Sequence, residues 1–225
     1  MQLSHGLSLF CAIALRKAVE ERLLEFRQVS GQTVEAHYAP TNVLLQEIDD
    51  GARPDVVIGV TAAVERLGAT GFLDPTSLAP FAKSGIGVAV PPGTDPPDVS
   101  TVRSLIAALM AARSVAYSRN GPSGVYFARL LRELGISEHV NQTAAIVDHG
   151  FTALALLDGR SDLAVQQLSE LQAVPGVRIA GPLPDPVQHH THFSIAMDSR
   201  PVNPESAGNG PAVELFTFLT TGAAA

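Results

Sequence analysis

The sequence predicts an α/β fold with mainly parallel strands, and three observations bear on that prediction and on whether the fold is doubled. Strand-like and helix-like segments alternate along the chain. Asp55-Val-Val-Ile-Gly-Val60 is almost wholly apolar, as expected of a parallel strand covered on both faces. Two Pro-rich breaks interrupt the series, and a motif that precedes the first break is echoed between the two.

Taken in order, Leu7 to Ala12 reads as a buried strand. Leu15, Ala18, Val19, Leu23 and Phe26 then recur at helical spacing, and Ser30-Gly31 stops that helix. Thr33 to Tyr38 alternates as a strand, Thr41 to Asp50 reads as a helix closed by Gly51, and Asp55 to Val60 and Ile86 to Val90 read as strands. Pro91-Pro-Gly-Thr-Asp-Pro-Pro-Asp98 supports neither helix nor ladder and marks a boundary. Beyond it the spacing predicts a helix over 101–112, a strand over 114–117 and a helix over 123–134 stopped by Gly135. A strand over 144–147, a helix over 151–157, a strand over 163–167 and an extended segment over 177–180 follow. Gly181-Pro-Leu-Pro-Asp-Pro186 breaks the chain again, before a strand over 191–197 and a last helix over 212–219. Strands separated by helices pair in parallel through right-handed crossovers.

The echo joins Leu45-Gln-Glu-Ile-Asp-Asp-Gly51 through Arg53 to Asp55-Val-Val-Ile-Gly59, and Leu156-Leu-Asp-Gly159 through Arg160 to Asp162-Leu-Ala-Val-Gln166. Each reads as helix, glycine cap, Arg, Asp and apolar strand. Such junctions are common enough to recur by chance; the other reading is a repeated lobe, with the Pro-rich breaks marking where the chain changes lobes.

Composition bounds the chemistry. The 225 residues carry 15 Lys and Arg against 22 Asp and Glu, a net charge of −7, with 46% hydrophobic and 16% charged residues. That is enough apolar surface for a real core and too few clustered cations for nucleic acid. A single cysteine, Cys11, excludes an internal disulfide. The apolar run Leu7 to Leu15 is far short of the ~20 residues of a membrane span. No Lys or Arg precedes it as in an export signal, so it reads as a buried strand turning into a helix. The chain as given thus reads as cytoplasmic, or as periplasmic if a leader has been removed.

Several stretches, in this order, resemble type II periplasmic binding proteins, nearest the molybdate-type solute-binding family of ABC transporters. They are Cys11-Ala-Ile-Ala-Leu-Arg-Lys-Ala18, Leu44 to Ile58, Lys83-Ser-Gly-Ile-Gly-Val-Ala-Val90, Ala116-Tyr-Ser118 through Gly121-Pro-Ser-Gly124 to Leu131, and Asp162 to Glu170 with Val174-Pro-Gly-Val177. The resemblance implies an α/β fold of two similar lobes with mixed, mainly parallel sheets, joined by a two-strand hinge and closing on a small ligand. It places the first lobe at 1–87 and 191–225 and the second at 88–190. It also implies an ABC-transporter permease as partner if the chain is exported, and neither cofactor nor metal.

In open α/β lobes, ligands sit beyond the carboxyl ends of strands, where helix N-termini present unpaired N–H groups and about half a positive charge. Three junctions suit an anion: Ala12-Ile13-Ala14; Thr41 and Asn42; and Ser118, Arg119, Asn120, Ser123 and Gly124. Ordinary capping is the competing reading of each. Molybdate-type members hold their oxyanion with two hydroxyls and a Tyr. The resemblance puts Ala14 at the first hydroxyl position, Thr41 at the second and Gln167, beside Gln166, at the Tyr position. Loss of such donors costs about 1–3 kcal/mol each, which favours a small organic acid over molybdate. Arg119 then either forks onto a carboxylate or is a surface charge.

Asp148-His149-Gly150 falls at another strand-to-helix junction. His149 and Gly150 are added there as ligand contacts, and His149 is the candidate base if there is catalysis; the alternative is a capping Asp beside a polar loop residue. His190 and His192 share a strand face without a third metal ligand in view. No Gly-x-Ser-x-Gly elbow and no phosphate-binding Gly-Lys-Ser/Thr loop is present.

The leading expectation is a solute-binding protein that closes its lobes on a small anion without turnover. The alternatives are an isomerase or lyase of a small organic acid on the same scaffold, and a cytoplasmic ligand sensor. Fold alone does not separate them.

Overall fold

The computed structural model describes residues 7–200 and 210–221. The chain divides into two units, Met1–Lys83 with His192–Ala225, and Ser84–Thr191.

In the first unit, β1 (Leu7–Ala12) leads through a 3-10 turn (Ile13–Leu15) into α1 (Arg16–Ser30). α1 buries Val19 and Phe26 and ends at Gly31, whose φ of 72° is the left-handed conformation open to glycine. β2 (Val34–Ala39), α2 (Thr41–Asp49), β3 (Val56–Val60) and α3 (Thr61–Ala69) follow, and β4 (Ala79–Val90) carries the chain into the second unit. There come α4 (Val102–Ala111), β5 (Val115–Ser118), α5 (Pro122–Glu133), α6 (Ser137–Asn141) and β6 (Ala145–Val147). α7 (Leu154–Leu157), β7 (Leu163–Gln167), α8 (Leu168–Gln172) and β8 (Arg178–Pro182) complete it. β9 (His190–Met197) returns the chain to the first unit, which ends with α9 (Pro211–Thr220).

The two units repeat one topology. The first has strand order β2-β1-β3-β9, with β1 parallel to β2 and β3, and β9 antiparallel to β3. The second has β6-β5-β7-β4, with β5 parallel to β6 and β7, and β4 antiparallel to β7; β8 also pairs with β4. The echo in the sequence falls on β3 and β7, equivalent strands. Each is entered through an Asp that fastens the neighbouring strand. Asp55 accepts from the Ser8 N–H at 2.8 Å and its hydroxyl at 2.7 Å, and Asp162 accepts from the Arg113 N–H at 2.9 Å and its guanidinium at 2.8 Å.

Each unit has its own core. Val56 and Ile58 of β3 pack with Leu9, Phe26, Ile195 and Leu215 on one face, while Val57 meets Ile48, Val64 and Leu67 on the other. Leu163 and Val165 of β7 pack with Leu105, Phe127 and Leu131, and Ala164 with Leu156 and Leu171. This two-sided burial is why both strands are nearly continuous apolar runs. Among the described residues, no helix is long and apolar enough to cross a membrane.

Five elements depart from the sequence reading. α3 is unforeseen, because only Val64 and Leu67 of its nine residues are buried. β4 begins at Ala79 rather than Ile86; its first five residues are half-buried or exposed and include Pro80, a residue that argues against a strand. The short helices α6 and α8 also go unread, and α7 starts at Leu154, three residues late.

Candidate functional site

In the first unit, the parallel register brings three strand-to-helix junctions to one edge. Ala12 stands opposite Ala39, and Cys11 opposite Ile58, so the carboxyl ends of β1, β2 and β3 lie side by side. None of the helices that begin there has a side-chain cap: the N-cap positions are Ala12 and Leu15, Pro40, and Val60. In α2, the first backbone donors to bond back are Val43 and Leu44, both to the Pro40 carbonyl, at 2.9 and 3.1 Å. The Thr41 and Asn42 N–H groups are therefore left for an outside acceptor, and the macrodipole favours an anionic one. Ala12 and Ala14 are buried, Ile13 and Thr41 partly so, and Asn42 is exposed.

Hydroxyls sit at the same edge. Thr41 Oγ1 accepts from the Val60 N–H at 3.3 Å, and Gly59 lets the Thr41 methyl approach; a Cβ on Gly59 would lie 3.3 Å from it. Thr61 Oγ1 and Ser194 Oγ are 2.9 Å apart. This pair joins positions 133 apart, and sequence reasoning missed it; the only local signal is a Thr directly after an apolar strand. Arg16, at the start of α1, is paired with Glu20 at 2.8 Å.

In the second unit, Ser118 ends β5 and shapes the loop that follows. Its Oγ accepts from the Gly121 N–H at 3.0 Å. Gly124 packs so tightly on this turn that an added Cβ would lie 1.8 Å from the Ser118 carbonyl oxygen. α5 then starts at Pro122 with Gly121 as N-cap and no side-chain cap. Val125 is the first residue of α5 to bond back, to the Gly121 carbonyl at 3.0 Å, which leaves the Ser123 and Gly124 N–H groups unpaired. Ser123 is buried and Asn120 exposed. Arg119 donates from Nε to Asp148 at 2.5 Å, both side chains being more than half exposed, and His149 and Gly150 lie on the same exposed loop.

The parallel register ends at Tyr117 opposite Val165, so Ser118 and Gln166 are the next residues along adjacent strands, roughly 5 Å apart. Gln166 is buried and fully engaged. Its Oε1 accepts from the Thr152 N–H at 2.7 Å and the Thr152 hydroxyl at 3.0 Å, and its Nε2 donates to the Gly150 carbonyl at 3.3 Å. Gln167 donates from Nε2 to Thr191 Oγ1 at 3.4 Å, while its buried Oε1 has no hydrogen-bond partner among the described residues.

Glu170 completes this cluster. It is the third residue of α8, the position from which a carboxylate reaches back to the N-cap N–H, here that of Gln167. The side chain is buried, with only 8% of the residue exposed. Burial raises its carboxyl from 4.5 to about 7, against the opposing pull of hydrogen bonds from the Gln167 N–H and the Gln166 amide. The sequence shows the spacing Gln167-Leu-Ser-Glu170 but not the enclosure that gives this carboxyl its properties.

Elsewhere, burial pushes the Cys11 thiol up, which makes it a core residue rather than a nucleophile. His189 stacks on Tyr126 at 4.7 Å. Among the described residues, no group of three or more His, Cys, Asp or Glu is arranged to hold a metal ion.

Two repeated α/β units, the first built from both ends of the chain and the second from one continuous stretch, with helix N-termini at their strand ends, define the architecture of type II periplasmic binding proteins. The chain belongs to the bacterial extracellular solute-binding protein family, which it matches over residues 7–225. It is similar in fold to the periplasmic molybdate-binding protein of Azotobacter vinelandii, at 16% identity and a TM-score of 0.75, covering 96% of this chain and 93% of that one. It is also similar to the substrate-binding domain of a putative molybdenum ABC transporter from Clostridium difficile, at 15% identity and a TM-score of 0.65, covering 95% and 91%. At these identities the likeness concerns fold alone.

A nearer sequence relative is an aconitate isomerase of Pseudomonas sp., 36% identical over 154 residues, or 68% of this chain. The chain spans 58% of that relative's length. This corrects one expectation. The sequence read alone puts binding without turnover ahead of catalysis; the likeness to an isomerase reverses that order.

Proposed function

We propose that the chain is an isomerase of a small unsaturated carboxylic acid, with aconitate the first substrate to test, built on a solute-binding scaffold. The observation that carries this reading is the 36% identity to an aconitate isomerase. The geometry supports it in two ways. Each unit presents unpaired N–H groups at helix N-termini without a side-chain cap, which favour carboxylates in a chain of net charge −7. The second unit adds a buried carboxyl that titrates near neutrality, where a group that must both take and give a proton works best.

The chemistry such a substrate needs is modest. Aconitate carries three carboxylates on a three-carbon unit with one double bond. A base removes a proton from the saturated carbon, the electron pair spreads over the three carbons, and the double bond moves. The proton then returns at the far carbon. The product has the same constitution, and the geometry about the new double bond can be the other one. One C–H bond is broken and one is made, with no net oxidation. Helix N-termini aimed at the carboxylates stabilise the extra charge of the delocalised anion.

The test is to incubate the protein with cis-aconitate and follow trans-aconitate by chromatography, alongside thermal melting with tricarboxylates and with molybdate. Interconversion, with melting raised by the tricarboxylates and not by molybdate, supports the reading. Melting raised by molybdate alone, or binding of tricarboxylates with no interconversion, overturns it.

A further inference from the structure

We propose that Glu170 is the catalytic acid–base of this isomerisation, the group that takes the proton from one carbon and returns it to the other. The inference rests on the isomerase reading above and adds a residue to it. Four observations in the second unit support it. Glu170 stands in the first turn of α8, three residues beyond the carboxyl end of β7, next to the buried amides Gln166 and Gln167 that close that strand. The adjacent strand β5 ends there too, at the loop that opens α5 and its unpaired N–H groups. The carboxyl is buried, with a neutral amide fixing its position, so its proton is shielded from bulk water. Finally, the neighbouring Gln167 Oε1 is a buried acceptor with no partner among the described residues, an unmet bond that a protonated ligand group could fill.

β9 brings Thr191 to the Gln167 amide at 3.4 Å, flanked by the exposed His190 and His192. Among the described residues, the groups that lower the Glu170 carboxyl are the Gln167 N–H and the Gln166 amide. On α8 itself the other polar side chains are Ser169 and Gln172, and from β4 the Ser84 hydroxyl lies 3.1 Å from that of Ser169. On β8, which packs against α8, Arg178 turns to the Thr94 carbonyl at 2.9 Å and to Asp95 at 3.4 Å. The loop held by Gln166 carries Asp148 and His149, both exposed, and Asp148 is occupied by Arg119. His149, the base suggested by the sequence, is therefore open to solvent, whereas Glu170 is enclosed.

The experiment measures kcat/KM for the interconversion of cis- and trans-aconitate from pH 5 to 9 in the wild type, Glu170→Gln, Gln166→Met and His149→Ala. The wild type should gain activity through a limb near pH 7, as Glu170 loses its proton. Glu170→Gln keeps the shape and one acceptor oxygen but cannot carry the proton, and should lose about 10²–10⁴-fold in kcat while tricarboxylates still raise its melting temperature. Gln166→Met removes a donor that holds the carboxyl down, so the limb should move to higher pH; this keeps the test alive if Glu170→Gln does not fold. An active Glu170→Gln, or a limb that follows His149→Ala instead, overturns the assignment while leaving the isomerase reading intact. A wild type that interconverts no unsaturated acid sinks the reading itself, and the assignment with it.

Discussion

Replacing Glu170 by Gln should change how stability depends on pH, independently of any activity. The carboxyl titrates at about 7 in the folded chain against an ordinary value of 4.5. At about 1.4 kcal/mol per pH unit, that gap is worth about 3 kcal/mol. The sign follows from which state holds the proton more tightly. The folded state does, so this contribution is fully present below pH 4.5 and is lost as pH rises through 7. The physical cause is that an ionised carboxylate at this site is deprived of water, and two hydrogen bonds only partly make up for it. Gln has no proton to lose. The stability of the wild type relative to Glu170→Gln should therefore fall by about 3 kcal/mol between pH 4.5 and 8. Urea unfolding at several pH values, read as midpoints at constant slope, measures this difference and cancels the titration of the histidines common to both proteins. Parallel curves for the two proteins across that range would refute the enclosure argued for Glu170.

Other outcomes follow from the same geometry. Gly124→Ala places a Cβ 1.8 Å from the Ser118 carbonyl oxygen, so α5 must shift from β5; a cost of about 3 kcal/mol should appear as a melting temperature lowered by roughly 6–12 °C. Gln166→Met leaves the Thr152 N–H and hydroxyl without their acceptor and should cost about 2–4 kcal/mol in urea unfolding, with faster amide exchange at Thr152. Arg119→Ala removes an exposed pair with Asp148 and should change stability by less than about 1 kcal/mol, an effect weakened further by salt.

The strand-to-helix alternation, the glycine stops and the apolar strands β3 and β7 are all written locally, and the sequence reading places them. The echo between 45–59 and 156–166 marks a true topological repeat, because in both units an Asp closes the turn into the third parallel strand. The first half of β4 is hidden by Pro80 and by its exposure, and α3 by having only two buried residues. The candidate site is legible only in part. Ser118, Gly124 and Gln166 stand out because tight turns and buried amides at strand ends leave a trace in residue type. Their convergence is set by register, Ala12 opposite Ala39 and Tyr117 opposite Val165, which one strand's sequence does not state. Glu170 is the clearest case: its spacing is that of a helix cap, and only tertiary enclosure turns it into a carboxyl that titrates near 7. The choice between binding and turnover was not legible either, because one scaffold serves both.

Isomerase activity stands or falls on the conversion of cis-aconitate to trans-aconitate by the purified chain at pH 7–8, followed to equilibrium from both sides. Both isomers should reach the same mixture, at a rate proportional to protein and lowered about 10²–10⁴-fold by Glu170→Gln. Tricarboxylates that raise the melting temperature while neither isomer is converted would contradict the isomerase reading.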